Sequence, residues 1–384
     1  MTQFKVLHFL DYFLPETMNW LEKLLQSSAD QCQHILCFKY FDPKINVSFE
    51  RIPFIGIKAE TPLTFGNKLL SKVQILIFSN KIVQYIQNND IDLLHFHFGN
   101  VAVEFESIIL SKIKPSIISL YGYDYEYLVY RKPETKNLYS KFAEYGAHYI
   151  VEGHFSQQLL LSYQIPKGKI HILQMIFNRT GVDSSNHFGR PIRLIQVATY
   201  TEKKGQLILL QALLLCKNRN QFILEFYGEI GNLRYYNELV NFINTHALHN
   251  VKLNKKLTVD DYLITLGQAH IAVNLSMRSS VMDTEGGCPV FLKDALVLGK
   301  PIFTTYHCDI PDIGVNDYNG WLIREGDVQE AVSKLELIAH LSINEYLQYS
   351  YHAKESVTCK LNINLTGNKL IDIYNRLLDA NRFI

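Results

Sequence analysis

The sequence lacks a close cysteine pair, an excess of either charge and any long uncharged apolar run. Its 384 residues carry 38 Lys and Arg against 37 Asp and Glu, a formal charge of +1. That balance gives no basic footprint for nucleic acid and no acidic solvating tail, so no nucleic-acid partner is expected. The six cysteines, Cys32, Cys37, Cys216, Cys288, Cys308 and Cys359, form no Cys-x-x-Cys. A zinc ribbon or thioredoxin-like motif has no support, and reduced thiols in a cytoplasmic setting are expected. No uncharged stretch reaches the roughly 20 residues that span a bilayer. The first apolar run is broken by Asp11 and Pro15-Glu16, unlike a cleavable signal peptide. No Gly-x-Gly-x-x-Gly or Walker sequence stands at a strand-to-helix turn, which argues against a dehydrogenase or a sugar kinase.

What is present is an ordinary globular composition, 47% hydrophobic and 20% charged. Single cores stop growing near about 250–300 residues, so two domains are expected. Short apolar runs alternate with segments of helical periodicity. One series of strands is read at Lys5–Phe9, Gln33–Phe38, Leu93–Phe98, Ser116–Leu120, His148–Glu152 and His171–Gln174. A second follows at Ile192–Ala198, Phe222–Tyr227, Val251–Leu253, Ile271–Leu275, Pro301–Thr304 and Trp321–Ile323. Most are continuous apolar runs, as in parallel strands covered on both faces. Alternation of strands and helices predicts an α/β fold with doubly wound, Rossmann-like halves. Gly, Ser, Asn and Pro cluster over Asn178–Pro191 and mark a linker. The expected domains are 1–180, 181–362 and a last helical segment, 363–384, packing back on the first. Two such halves would place ligands at the carboxyl ends of their strands, across a cleft.

The densest chemistry lies at Asp283-Thr284-Glu285-Gly286-Gly287-Cys288-Pro289-Val290, followed by a helix carrying Asp294 and ending at Gly299. Pro289 suits the first helical turn, and Gly299 with Pro301 suits its end. The glycine pair lets backbone approach a ligand, and the open amides at the helix start suit a diphosphate. Glu285 and Asp294 would accept hydrogen bonds from sugar and ribose hydroxyls. Gly-Gly-x-Pro before a helix is also compatible with a plain, well-capped core helix.

Glu285-Gly286-Gly287-Cys288-Pro289, then Asp294-Ala295 and Gly299-Lys300-Pro301, resembles the signature of family 4 retaining glycosyltransferases of GT-B fold. The likeness is strongest to bacterial exopolysaccharide and lipopolysaccharide enzymes of the colanic-acid type. Asp294 stands where the family has Glu. Lys204-Gly205 resembles the end of its Gly-Arg-x-x-x-x-Lys-Gly, with Thr199 at the arginine position. His95-Phe96-His97-Phe98-Gly99 resembles its His-x-His-Phe-Gly. Tyr121-Gly122-Tyr123-Asp124 resembles its His-Gly-x-Asp, with Tyr121 for His. Val151–Ser156, with His154, occupies its strand-to-helix turn before the linker. The Thr304–Asp312 loop, Asn319-Gly320 and Glu325-Gly326-Asp327 resemble turns beside the donor. Phe13-Leu14-Pro15-Glu16-Thr17 replaces the common glycine-rich loop and resembles the polysaccharide subgroup's version.

The resemblance implies two Rossmann-like domains facing across a cleft and a retaining transfer from a UDP- or GDP-linked sugar. The acceptor would be a hydroxyl of a glycan, a lipid-linked molecule or a protein. It implies Glu285, Lys204, His97 and Tyr121 at the reaction, and Gly286, Gly287, Cys288, Pro289, Val290, Asp294, Thr199 and Gly228 about the donor. Glu16, Thr17, Gly99, Asp124 and His154 would face the acceptor. No cofactor is expected, and no metal, since His95 and His97 show no third ligand cluster in the sequence. Two alternatives stay open: a GT-B-shaped sugar-nucleotide epimerase, or a catalytically weak donor-binding partner subunit. The basic, amphipathic Lys68–Lys81 would suit peripheral contact with the inner face of a membrane. An ordinary surface helix is the favoured reading of the same pattern.

Overall fold

A computed structural model describes residues 3–12, 15–40, 50–52, 79–175, 188–358 and 363–382. Residues 68–78 of the basic stretch, Phe13 and Leu14, and 178–187 of the linker lie outside the described residues, as do the side chains of Glu16 and Thr17. The chain divides into two compact units. Unit 1 is residues 1–175 with 363–384, and unit 2 is residues 176–362.

Unit 1 holds β1 (Phe4–Tyr12), α1 (Pro15–Gln26), β2 (Cys32–Tyr40), β3 (Glu50–Ile52), β4 (Leu93–His97), α2 (Gly99–Glu104), β5 (Ser116–Ser119), β6 (His148–Val151), α3 (His154–Ser162) and β7 (Ile170–Ile172). Its seven strands run parallel in the order β3-β2-β1-β4-β5-β6-β7. One face is apolar: Leu7, Phe9, Ile35, Cys37, Leu94 and Phe96 join one buried cluster. The other face carries His8, His34, His95 and His97, because side chains alternate with period two. The last helix, Ile363–Arg382, belongs to this unit and places Tyr374 over the histidines. Phe98, just after β4, has φ 75° and ψ 141°, a region that bulky residues seldom enter.

Unit 2 holds β8 (Ile192–Val197), α4 (Gln206–Leu215), β9 (Phe222–Tyr227), β10 (Val251–Asn254), α5 (Val259–Gln268), β11 (Ile271–Asn274), α6 (Val290–Val297), β12 (Ile302–Thr305) and β13 (Gly320–Ile323). These six strands are parallel, in the order β10-β9-β8-β11-β12-β13. In each sheet the strand order reverses once, between β1 and β4 and between β8 and β11. Crevices outside the carboxyl ends at such switch points are where α/β sheets hold ligands. The charged triplet Glu50-Arg51-Ile52 forms the edge strand β3, which its composition does not announce. Pro289 stands just before α6 rather than in its first turn, and Phe291–Val297 is buried all round rather than along one stripe. Among the described residues no helix is long and apolar enough to cross a membrane.

Candidate donor and acceptor sites

At the switch point of unit 2, the chain leaves β8 through a short turn, Glu202–Lys204, and passes Gly205 at φ 67°. A Cβ at Gly205 would lie 1.9 Å from the carbonyl oxygen of Leu275. Only glycine permits both this conformation and this approach. The approach sets Lys204 beside the end of β11. Its Nζ donates to both oxygens of Glu285, at 2.7 and 2.6 Å. Ser276 Oγ donates to Glu285 Oε1 at 2.5 Å. The Glu285 side chain is only 8% exposed. Burial pushes its carboxyl up, but Lys204, Lys203 and Ser276 outweigh burial and hold it at about 2. Glu285 is therefore a fixed carboxylate at ordinary pH.

The backbone of Glu285 is fixed as well. Its N–H donates to His307 Nε2 at 3.1 Å. A ring nitrogen that accepts carries no hydrogen, so the ring proton is on Nδ1, which donates to Glu325 Oε1 at 2.8 Å. Glu325 Oε2 in turn accepts the Arg278 N–H at 2.9 Å. Gly286 follows at φ 68°, and the Gly287 N–H donates back to the Glu285 carbonyl at 2.8 Å. This tight reversal delivers buried Cys288 and then Pro289 to the start of α6, which no side chain caps. Val290 opens the helix, whose first amides lack intrahelical acceptors and favour an anion.

The other residues that the resemblance puts about the donor have structural partners. Asp294 is buried and accepts from Tyr262 Oη of α5 at 2.9 Å. Thr199 offers its carbonyl to Gln206 Nε2 at 3.1 Å, and its methyl lies near Gly231. Lys203 donates to Asp283 Oδ1 at 3.0 Å, and its charge helps to hold Glu285 ionised. Gly228 lets the end of β9 pass the Ala198 carbonyl, which a Cβ would meet at 2.0 Å. Ser276, His307, Glu325 and Lys203 were not singled out from the sequence. His307 and Glu325 lay inside segments read only as turns.

Unit 1 builds its site from neutral rings. His97 Nδ1 lies 2.7 Å from Tyr121 Oη, His97 Nε2 lies 2.9 Å from His8 Nδ1, and His8 Nε2 lies 2.9 Å from His34 Nδ1. His34 Nε2 meets Ser28 Oγ at 3.0 Å. His95 lies between Tyr374 Oη, 2.6 Å, and Ser119 Oγ, 2.7 Å. Burial pushes all four histidines down, His34 to about 4 and His97 to about 3. His8 is the third imidazole that the sequence spacing of His95 and His97 did not reveal. It pairs in register with His95 across β1 and β4, and the ligand atoms of His8, His95 and His97 lie within 4.8 Å of one another. Each of their ring nitrogens already has a hydrogen-bond partner.

Asp124 and Gly99 turn out to hold this edge together. Asp124 is buried and accepts the N–H groups of Gly99 and Tyr121, both at 2.7 Å, tying the loops after β4 and β5. Burial pushes its carboxyl up to about 6 despite these bonds. His154 is exposed at the start of α3, and Glu16 and Thr17 lie in the first turn of α1.

Comparison with known proteins agrees with this architecture. Residues 179–356 match the family model of group 1 glycosyl transferases. The match lies within unit 2. A protein named for colanic acid biosynthesis, the glycosyltransferase WcaL of Escherichia coli K12, is 26% identical over 55% of this chain and 52% of its own length. The chain thus spans about half the length of the curated relatives it matches. A Rickettsia africae glycosyltransferase structure superposes with a TM-score of 0.78 at 15% identity, over 98% of this chain and 99% of that one. HepE of Anabaena, solved with UDP-glucose, gives 0.75 at 15% identity over 97% and 99%. The chain has the GT-B fold of these structures.

Proposed function

We propose that the chain is a glycosyltransferase of surface-polysaccharide biosynthesis that transfers a sugar from a UDP-sugar to a hydroxyl of a glycan or lipid-linked acceptor, with retention at the anomeric carbon. The group 1 domain and the exopolysaccharide names of the relatives support the reaction class. The UDP-glucose bound by HepE favours UDP over GDP. The observation that carries the reading is the Lys204–Glu285 pair at the switch point of unit 2, beside the uncapped start of α6.

On this reading the diphosphate lies at the α6 amides, and Lys204 turns from Glu285 to its oxygens. Charge grows on the diphosphate as the bond to the sugar breaks, and the lysine cation and the helix amides act where it grows. Glu285, kept ionised, accepts hydrogen bonds from donor-sugar hydroxyls. The acceptor oxygen attacks from the face the diphosphate leaves. The departing diphosphate takes the acceptor's proton, so no enzyme nucleophile is needed.

The test is UDP release from a panel of UDP-sugars, with and without saccharide acceptors. Glu285→Gln and Lys204→Ala should each lower turnover about 100-fold or more, with UDP affinity falling further in the lysine variant. A folded Glu285→Gln protein with unchanged turnover would sink the assignment. An altered sugar formed from donor alone would point to an epimerase instead.

A further inference from the structure

β12 and β13 run side by side with Thr305 opposite Ile323, and the Tyr306 N–H still reaches the Ile323 carbonyl at 2.9 Å. This register sets His307 opposite Glu325 just beyond the strand ends, with His307 Nδ1 at 2.8 Å from Glu325 Oε1. The other ring nitrogen, Nε2, receives the Glu285 N–H at 3.1 Å and has Cys308 Sγ at 3.2 Å. A peptide N–H can only donate, so a hydrogen on Nε2 would set N–H against N–H. Only the neutral Nδ1–H ring satisfies both neighbours, and Glu325 selects that tautomer. Burial pushes the Glu325 carboxyl up, but the bonds from His307 and the Arg278 N–H outweigh it and hold the group below its ordinary value. Glu325 is therefore an ionised acceptor.

These bonds close a circuit. Ser276 Oγ donates to Glu285 Oε1, and Arg278, two residues further on, donates its N–H to Glu325 Oε2. The segment 276–278 thus holds Glu285 directly by its carboxylate and, through Glu325 and His307, by its backbone. That segment is itself tied down: Thr305 Oγ1 donates to the Ser276 carbonyl at 2.5 Å, and the Met277 N–H to the Lys203 carbonyl at 2.9 Å. His307 is 1% exposed. Without it the Glu285 N–H loses its acceptor at the residue just before Gly286, whose φ of 68° opens the reversal into α6. The Glu285 peptide would then be free to turn, and the carboxylate would turn with it.

We propose that His307 and Glu325 form a positioning dyad which, held in one tautomer, aims the Glu285 carboxylate at the sugar of the donor. Neither residue has to touch the donor itself. The inference rests on the reading of Glu285 as the group that binds donor-sugar hydroxyls. It separates two parts of one ligand: the dyad acts on the sugar contact, while the nucleotide diphosphate, met by Lys204 and the α6 amides, does not sense it.

The full chain is titrated calorimetrically with UDP and with UDP-glucose, UDP-galactose and UDP-N-acetylglucosamine, and the UDP-sugar that binds tightest serves as the probe. His307→Leu should weaken the probe about tenfold, the worth of one hydrogen bond, and UDP by no more than about twofold. His307→Gln, whose carboxamide oxygen can accept the same N–H, should return the probe to within about threefold of wild type. Glu325→Ala should let hydrogen move to Nε2 of His307, read from the ring nitrogen shifts, and should weaken the probe in step. Equal loss of UDP and probe in His307→Leu would make the pair a plain structural support and overturn the proposal. Unchanged probe binding in that variant, folded, would overturn it too. If His307→Leu does not fold, Glu325→Ala decides: an Nε2–H ring with unchanged probe binding removes the dyad. If the wild-type protein binds no UDP-sugar, the glycosyltransferase reading of the site fails, and hydrogen exchange at the Glu285 amide tests the dyad alone. Protection lost in Glu325→Ala upholds it, and protection unchanged removes it.

Discussion

At the switch point of unit 2, Lys204 and Glu285 face each other 2.6 Å apart as ions, whereas at that of unit 1 His8, His95 and His97 are neutral rings. Both arrangements lie on parallel sheets of the same winding. The difference lies in what each must do with charge. The pair in unit 2 keeps a carboxylate ionised while nearly buried, which only an adjacent cation allows. The row in unit 1 keeps every ring uncharged and passes on only the direction of hydrogen bonds. One site is built around a buried ion pair, the other around a row of neutral hydrogen bonds.

The two switch points also depend on glycine to different degrees, and substitution separates them. Gly205→Ala forces a left-handed conformation on alanine and drives Cβ into the backbone carbonyl of Leu275. A backbone obstacle does not yield, so about 3 kcal/mol of stability should be lost together with Lys204's place beside Glu285. Gly99→Ala meets the hydroxyl of Tyr139 at 1.8 Å, the end of a side chain. That hydroxyl donates to the Asp124 carbonyl and shifts at a cost of about 1–2 kcal/mol. Thermal unfolding with UDP binding checks both. If Gly99→Ala proved the more damaging, the greater rigidity ascribed to the unit 2 loop would be wrong.

Acid should separate the units next. A histidine buried neutral has a folded pKa below its unfolded value near 6.5. The unfolded chain then binds more protons, so the stability is fully present above pH 6.5 and is lost as pH falls toward 4 and 3. The slope is on the order of 1 kcal/mol per pH unit for each ring that charges on unfolding. Asp124 opposes this between about 6 and 4, because its raised pKa lets the folded state take the proton first. It is one group against four, so the net slope keeps its sign. Glu285 contributes stability that is present above its unfolded pKa near 4.5 and fades only as pH falls toward 2. Between pH 6.5 and 5, hydrogen exchange corrected for intrinsic rates should show β1, β2 and β4 losing protection of about 4–5 kcal/mol while β8 and β11 hold. Equal losses in both units would remove the distinction.

The sequence was readable where physics acts locally. Continuous apolar runs announced twelve of the strands, and Glu285-Gly286-Gly287 announced a reversal into a helix. It was unreadable where partners are set by topology. Lys204 and Glu285 lie 81 residues apart, and their contact depends on Gly205 passing the end of β11. His8 and His34 sit in strands that read as apolar, and nothing local says that β1 pairs with β4 in the register that sets His8 beside His95. Asp124 is expected at the acceptor through the likeness of Tyr121-Gly122-Tyr123-Asp124 to His-Gly-x-Asp. Its two backbone partners come from loops that only the sheet brings together.

The finest expected difference between the sites is in the position of single protons. With the one hydrogen of Ser28 Oγ given to the carbonyls of Leu24 and Leu25, Ser28 accepts from His34 Nε2–H, and His34, His8 and His97 are all neutral with hydrogen on Nε2. His307 of unit 2, which accepts at Nε2 and donates from Nδ1 to Glu325, is the opposite tautomer. Two-bond proton–nitrogen correlation of the ring signals near pH 7.5, assigned through single histidine variants, reads this directly. Among these residues the expected spectrum has three Nε2–H rings in unit 1 and one Nδ1–H ring, His307. A single Nδ1–H ring among His34, His8 and His97 would reverse the row. Reversal would make Tyr121 Oη accept from His97 Nδ1–H instead of donating to it. Equimolar zinc gives the complementary reading. Unchanged signals mean that the hydrogen bonds between rings hold, whereas a shift of His8, His95 and His97 together would mean that the cluster opens to a metal and that its neutrality serves coordination rather than polarity.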